Sequence, residues 1–234
     1  MPNYVVNKVT TSGNLKHLDI YTDNKLDFNK LIPMPKELEN SLYSINNMNG
    51  LLLLWQETKE KIKDGINPTK NTFLLKTIAD AYRSISGKER CDIESQLKEA
   101  SEQFLKLSED EKEKIMQAGK ISLANYEKCG YCDWYSWRCK NWNTKWNAIE
   151  TKIINDNTML FETAWDTPVQ VMEELSKIVQ GHEIEVSWAD QYENHVGRVI
   201  LKNGLLIKGG YLEAGTKEWI EVSREILGGS IYDE

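Results

Sequence analysis

Three patterns in this 234-residue chain predict an α+β protein. β-Branched residues alternate at its start, a Leu/Lys/Glu-rich middle carries helix punctuation, and strands alternate with helices in its last third. The opening Asn3-Tyr4-Val5-Val6-Asn7-Lys8-Val9-Thr10-Thr11-Ser12-Gly13 is rich in residues that suit a pleated surface and ends at a turn residue, so it reads as a first strand. Residues 26–38 read as an extended linker over a core, because Pro33 and Pro35 each push the preceding residue out of helical geometry.

From about Asn49 to Lys128 the spacing predicts three or four packed helices. Asn67-Pro68 resembles an N-cap with proline at the first helical position, Gly65 and Gly87 can end helices, and Ser108 with Glu111 has capping-box spacing. Phe73, Leu74, Ile78, Ala81 and Tyr82 share one stripe, as do Leu97, Ala100, Phe104 and Leu107. The acidic run from Ser108 to Lys114 suits the positive end of a helix dipole.

Residues 131–146, Tyr-Cys-Asp-Trp-Tyr-Ser-Trp-Arg-Cys-Lys-Asn-Trp-Asn-Thr-Lys-Trp, hold four of the eight tryptophans and two of the four cysteines. At about 100° per residue, a helix over 131–142 places Cys132, Tyr135, Ser136, Cys139 and Trp142 on one side, and Trp134, Trp137 and Asn141 on another. Two apolar sides imply either a helix packed between two layers or one side offered to a partner. Asn143 suits a left-handed cap.

Strand signals follow at Trp146–Ile154 and Met159–Trp165, joined at Asn155-Asp156-Asn157. Next comes a helix capped by Asp166 or Thr167, with Pro168 in its first turn and Val171, Met172, Leu175, Ile178 and Val179 as its buried stripe. Glu183–Tyr192, Gly197–Lys202 and Leu205–Tyr211 read as strands, and Thr216–Leu227 as a closing helix. This order is the split β-α-β pattern of a ferredoxin-like antiparallel sheet carrying an inserted helical bundle. Its expected segments are 1–48 (first strand and linker), 49–128 (insertion) and 129–234 (remainder of the sheet domain).

A net charge of −7 and a pI near 5.2 provide no overall cationic field for nucleic acid and favour a protein partner. The longest apolar run, Leu51–Trp55, is far short of a membrane span, and the start lacks a signal-peptide pattern, so a cytoplasmic protein is expected. Cys129 and Cys132 form half of a zinc signature, but neither Cys91, His182 nor His195 supplies the paired second half, so buried reduced thiols and no metal are expected. No P-loop, Rossmann glycine motif, nucleophile elbow or H-E-x-x-H occurs, and no cofactor is expected. His182-Glu183 with Glu193-Asn194-His195, and Asp190 with Glu193, are the residues from which an acid–base pair or a cation site could be drawn.

Several stretches resemble a family of phage and plasmid proteins whose C-terminal part is called the YubB ferredoxin-like domain. They are Met1-Pro2-Asn3-Tyr4 with Asn7, Asp27–Pro35, Trp134–Ala148, and Phe161–Trp165 with Pro168; Asn141–Ala148 is the most specific. The family usually has glycine at the place of Asn143. The resemblance covers the first ~40 residues and most of 130–227 but not the inserted helices, and it implies a mobile-element origin without any activity to transfer.

Acidic charge, the lack of catalytic motifs and this resemblance lead to one expectation: a non-enzymatic phage or mobile-element accessory protein that binds a host protein or ribonucleoprotein. Its most concrete form is an inhibitor of a bacterial defence complex, such as an anti-CRISPR, anchored by Trp134, Trp137 and Arg138. The alternative is a nucleic-acid-binding ferredoxin-like module that stacks bases on Trp146, Trp165 and Trp188 of an open sheet face, beside Lys145, Lys152 and Arg198.

Overall fold

The computed structural model describes residues 3–87, 92–179, 181–192 and 194–228. The chain folds into two compact units, one of Met1–Pro33 with Arg138–Glu234 and the other of Met34–Trp137.

The first unit is built on a sheet. Its opening strand β1 (Tyr4–Thr11) is followed by a small hairpin, β2 (Tyr21–Thr22) and β3 (Lys25–Leu26), whose turn residues Asp23 and Asn24 both take positive φ, as a tight primed turn requires. The rest of the sheet comprises β4 (Thr151–Asn155), β5 (Thr158–Ala164), β6 (Ile184–Asp190), β7 (Val196–Lys202) and β8 (Leu205–Tyr211). The six main strands lie in the order β4-β5-β1-β6-β7-β8, and every neighbouring pair is antiparallel. The helix α6 (Val169–Ile178) connects β5 to β6, which flank β1, and this is the expected split β-α-β arrangement.

The strand register assigns side chains to faces. Val5, Asn7 and Val9 share a face with Phe161, Met159, Trp188 and Val186, and all seven are buried. Val6, Leu160, Ala189 and Val196 lie on the other face, where Val222 and Ile226 of the closing helix α7 (Lys217–Leu227) join them in one apolar cluster. Gly197 is needed opposite Trp188, since a Cβ there would stand 2.1 Å from the indole ring.

Residues 26–38, expected as a plain extended linker, include 3-10 turns at Phe28–Lys30 and Lys36–Leu38. Phe28 is fully buried, edge-on to Trp142 at 5.6 Å and to Phe161 at 6.1 Å. β4 starts at Thr151 instead of Trp146: Ile149 and Glu150 still exchange backbone hydrogen bonds with Glu162 of β5, but the residues before them are committed elsewhere. Thr144 Oγ1 donates to the Ala164 carbonyl (2.8 Å), Asn147 Oδ1 accepts from the Phe28 N–H (2.8 Å), and Asn147 Nδ2 donates to Asp27 (2.8 Å).

The second unit is helical: α1 (Ile45–Lys63), α2 (Pro68–Ser86), α3 (Ile93–Phe104), α4 (Glu109–Cys129) and the start of α5 (Trp134–Asn141). The punctuation acts as expected at Asn67-Pro68, at Gly87 and in the Ser108–Glu111 capping box. Leu51, Ile78, Ala81, Tyr82, Ala100 and Cys132 share its core. Phe73, expected on the buried stripe of α2, is exposed. α1 and α4 meet at Gly50 and Gly119, where a Cβ on either residue would lie within 2.7 Å of the other's backbone.

This unit begins at Met34, earlier than the expected residue 49, and continues past 128 to Trp137. The reason is local. Leu38 is fully buried, Glu37 pairs with Lys128, and Ser41 Oγ accepts from the Trp134 N–H at 2.8 Å, so residues 34–44 pack with the helices. Among the described residues no helix is long and apolar enough to cross a membrane.

Candidate partner-binding surface

The tryptophan-rich stretch is divided between packing and surface. Trp142 is fully buried and its Nε1 donates to the Ile32 carbonyl at 3.0 Å, while Trp137 is also buried. Arg138, an expected anchor, is half-buried, with its guanidinium 4.9 Å from the centre of the Trp142 ring, and burial holds its pKa below the usual range. Trp137 and Arg138 are therefore corrected from exposed anchors to buried or half-buried residues, because α5 lacks a side wholly open to solvent. Trp134 is half-buried and stays at the surface.

The motif that carries the family resemblance proves to be a set of hydrogen-bonded latches. In addition to Trp142, Thr144 and Asn147, Asn143 takes φ +61° and its Nδ2 donates to the Thr167 carbonyl at 3.0 Å. Asn7 Nδ2 donates to Thr163 Oγ1 at 2.9 Å, and Asn3 Nδ2 to Asp190 at 2.5 Å. Met1 and Pro2 lie outside the described residues.

Beside Trp134 the structure reveals a surface not anticipated from the sequence. Leu42 is 69% exposed, Tyr43 44% and Ile45 61%, forming an apolar ridge at the entrance to α1. The Tyr43 ring lies 4.3 Å from that of Tyr135, which in turn meets Trp134 edge-on at 5.8 Å. The ridge is held at both ends. Ser41 Oγ donates to the Leu38 carbonyl at 2.7 Å while accepting from Trp134, Ser44 is the N-cap of α1, and Asn47 Nδ2 donates to Ser122 Oγ at 2.6 Å. Side chains of this extended segment alternate between two grooves. Leu42 and Ser44 line one of about 640 Å³ against α4, and Tyr43 and Ile45 line one of about 320 Å³ against α2 and α3. The sequence signal was present but weak: Leu-Tyr-Ser-Ile surrounds a helix cap, where apolar residues ordinarily staple the helix rather than face solvent.

The sheet-face site expected for nucleic acid is not assembled. Trp188 is buried on one face, whereas Arg198 pairs with Ser187 and Lys152 with Leu160, placing both cations on the opposite face. Arg198 is bound by Ser187 (2.9 Å) and Glu225 (2.6 Å). Trp146 and Trp165 lie outside the strands, and Trp165 has φ +76°, unusual for a bulky residue. These two rings instead share Lys145, whose Nζ is 4.8 Å from Trp146 and 5.5 Å from Trp165.

Among the described cysteines Cys132 is buried, as expected, whereas Cys129 and Cys139 are only half-buried. Cys132 Sγ donates to the Ala81 carbonyl and Cys129 Sγ to that of Asn125; burial, with Asp133 nearby, raises the Cys132 pKa. Burial also raises Asp133, against the opposing hydrogen bonds from Ser136. Cys91 and Glu193 lie outside the described residues. His182 precedes β6 and His195 follows it, so a strand of roughly 20 Å separates them and they do not form an acid–base pair.

No curated protein matches the chain. A crystal structure of protein api92 from Yersinia pseudotuberculosis is similar at 10% identity and TM-score 0.35, over 92% of this chain and 100% of that one. Residues 141–228 match the family described as the ferredoxin-like domain in Api92-like protein. That similarity is confined to the C-terminal part of the sheet unit, from the end of α5 through β4–β8 to α7, and agrees with the ferredoxin-like strand order described above.

Proposed function

We propose that the protein is a non-enzymatic accessory protein of a phage or other mobile element that binds a host macromolecule. In its most concrete form it inhibits a bacterial defence complex, as anti-CRISPR proteins do. The observation that carries this reading is the rigidly held apolar ridge Leu42-Tyr43-Ser44-Ile45 with Tyr135 and Trp134 beside it. Aromatic and aliphatic side chains exposed together, on backbone already fixed by hydrogen bonds, suit protein–protein hot spots because little conformational entropy is lost on docking. The acidic net charge and the resemblance to mobile-element proteins support the same choice of partner.

The test is a pull-down of the tagged protein from a bacterial host, with and without nuclease, followed by an activity assay of any recovered defence nuclease. A stoichiometric complex whose activity falls, and which a Leu42→Asp/Ile45→Asp variant fails to form, supports the reading. Loss of all partners on nuclease treatment counts against it. That second outcome would favour nucleic acid bound at the Lys145–Trp146–Trp165 cluster, where a cation lies beside two surface indoles.

A further inference from the structure

We infer that the groove between residues 40–47 and α4 receives a basic amphipathic helix of the partner protein. This deepens the reading of the ridge as a partner-binding surface and rests on it.

The groove, of about 640 Å³, has one wall made by a single stripe of α4: Asp110, Glu113, Lys114, Gln117 and Ile121. These positions recur every three or four residues and so face one way along the helix. The opposite wall is the fixed segment containing Leu42. The stripe changes character along its length. At one end stands the exposed aliphatic Ile121, 46% accessible, and the opposite wall presents Leu42, 69% accessible. At the other, Asp110 and Glu113 make no ion pair among the described residues, whereas neighbouring Glu109 is taken by Lys112 and Glu111 by the Ser108 capping box.

An occupant must therefore offer an apolar side chain at one end and a cation at the other. Eight residues of α4 separate Glu113 from Ile121, about 12 Å at 1.5 Å per residue. A partner helix lying along this groove would match it with a Leu, Ile or Phe about two turns from a Lys or Arg, the usual pattern of helix-in-groove recognition. Lys114 lies at the same end, one residue beyond Glu113, so two carboxylates there face one cation and the end stays acidic on balance, while Gln117 offers a neutral polar contact in mid-groove.

The probe is a fluorescein-labelled helical peptide of about 16 residues, with a leucine pair at one end and a lysine pair two turns away on an alanine–glutamine background. A matched peptide carries glutamate in place of lysine. Anisotropy titrations are made against the full chain, the Ile121→Asp variant and the Asp110→Asn/Glu113→Gln variant, with circular dichroism of each variant to show that it remains folded. The lysine peptide is expected to bind the parent at least about tenfold more tightly than the glutamate peptide and to weaken by about tenfold in Ile121→Asp. Its preference over the glutamate peptide is expected to fall, along with the salt dependence of binding, in Asp110→Asn/Glu113→Gln. Equal binding of both peptides, no binding, or binding unchanged by folded Ile121→Asp overturns the groove assignment. If a host complex is still captured by the parent and lost with Leu42→Asp/Ile45→Asp, only the groove assignment has failed. If that capture fails as well, the reading of the ridge has failed with it.

Discussion

Gly50→Ala tests the closest approach in the helical unit, and the sign of the effect is informative. On a solvent-exposed helix the change would stabilise the protein by about 1 kcal/mol, because alanine loses less backbone entropy than glycine. Here the new Cβ would stand 2.3 Å from the Ile115 carbonyl oxygen and 2.6 Å from the Gly119 nitrogen, where ordinary contact begins near 3.4 Å. Both obstacles are backbone, so no side chain can rotate away, and α1 must shift from α4 by about 1 Å. A gap of that size forfeits roughly a quarter to a half of each dispersion contact along the crossing. Overpacking of this kind costs about 3 kcal/mol, leaving a net destabilisation of about 2 kcal/mol after the gain in helix propensity. Thermal unfolding followed at 222 nm, which reports mainly on the helical unit, should show a midpoint lowered by about 4–8 °C. Gly119→Ala should behave alike, and the double variant should cost less than the sum, since one separation accommodates both methyl groups. A Gly50→Ala protein as stable as the parent, or more so, would refute the close crossing.

Gly197→Ala should destabilise the sheet unit by about 2 kcal/mol, because the methyl group meets the buried Trp188 ring at 2.1 Å; a midpoint matching the parent's would argue against the register that pairs these residues. Asn147→Ala should cost about 2 kcal/mol by leaving the Phe28 N–H unpaired and by removing one of the two hydrogen bonds that Asp27 Oδ1 accepts, the other coming from the Asn29 N–H. It should also weaken the acid sensitivity linked to Asp27. Burial raises that carboxyl, but hydrogen bonds from Asn147, Thr22 and Asn29 outweigh it and leave the pKa lowered, so its stabilisation is present above its unfolded pKa and is lost as pH falls through the folded value. At high pH the sign reverses: Cys132 is raised from 9.0 and Tyr21 is pushed up to about 12, both chiefly by burial. Their stabilisation is complete below the unfolded pKa values and declines above them as the unfolded groups ionise while the folded ones stay protonated. Stability should therefore fall above pH 9.0, and less steeply in Cys132→Ala; an equal slope in the two proteins would show that this thiol is not the cause.

Strands were readable where burial enforces a pattern or a turn marks their start. β1, β6 and β7 were expected within a few residues of their limits, and β8, exposed almost throughout, at its observed limits because the Asn203-Gly204 turn, with both residues at positive φ, precedes it. Helix limits were readable where a side chain closes a local hydrogen bond, as at Asn67 and Ser108. Long-range commitments were not. Nothing near Trp146 reveals that Asn147 is held by Asp27 and Phe28, 120 and 119 residues away, and so the start of β4 was placed too early. The tryptophans misled for the same reason. Their density marked an important segment, but whether a given ring packs or projects depends on partners distant in sequence, such as Ile32 for Trp142. The exposed ridge at Leu42–Ile45 was the least legible feature, since those residues look like an ordinary helix entrance until the surrounding packing leaves them uncovered.

The most direct test of the central claim is mass spectrometry of nuclease-treated complexes captured from a bacterial host by the parent chain and by Leu42→Asp/Ile45→Asp. A host-defence protein recovered at a near-stoichiometric ratio with the parent, resistant to nuclease and absent from the variant, is the predicted result. Equal recovery with both proteins, or capture that disappears with nuclease, would contradict it.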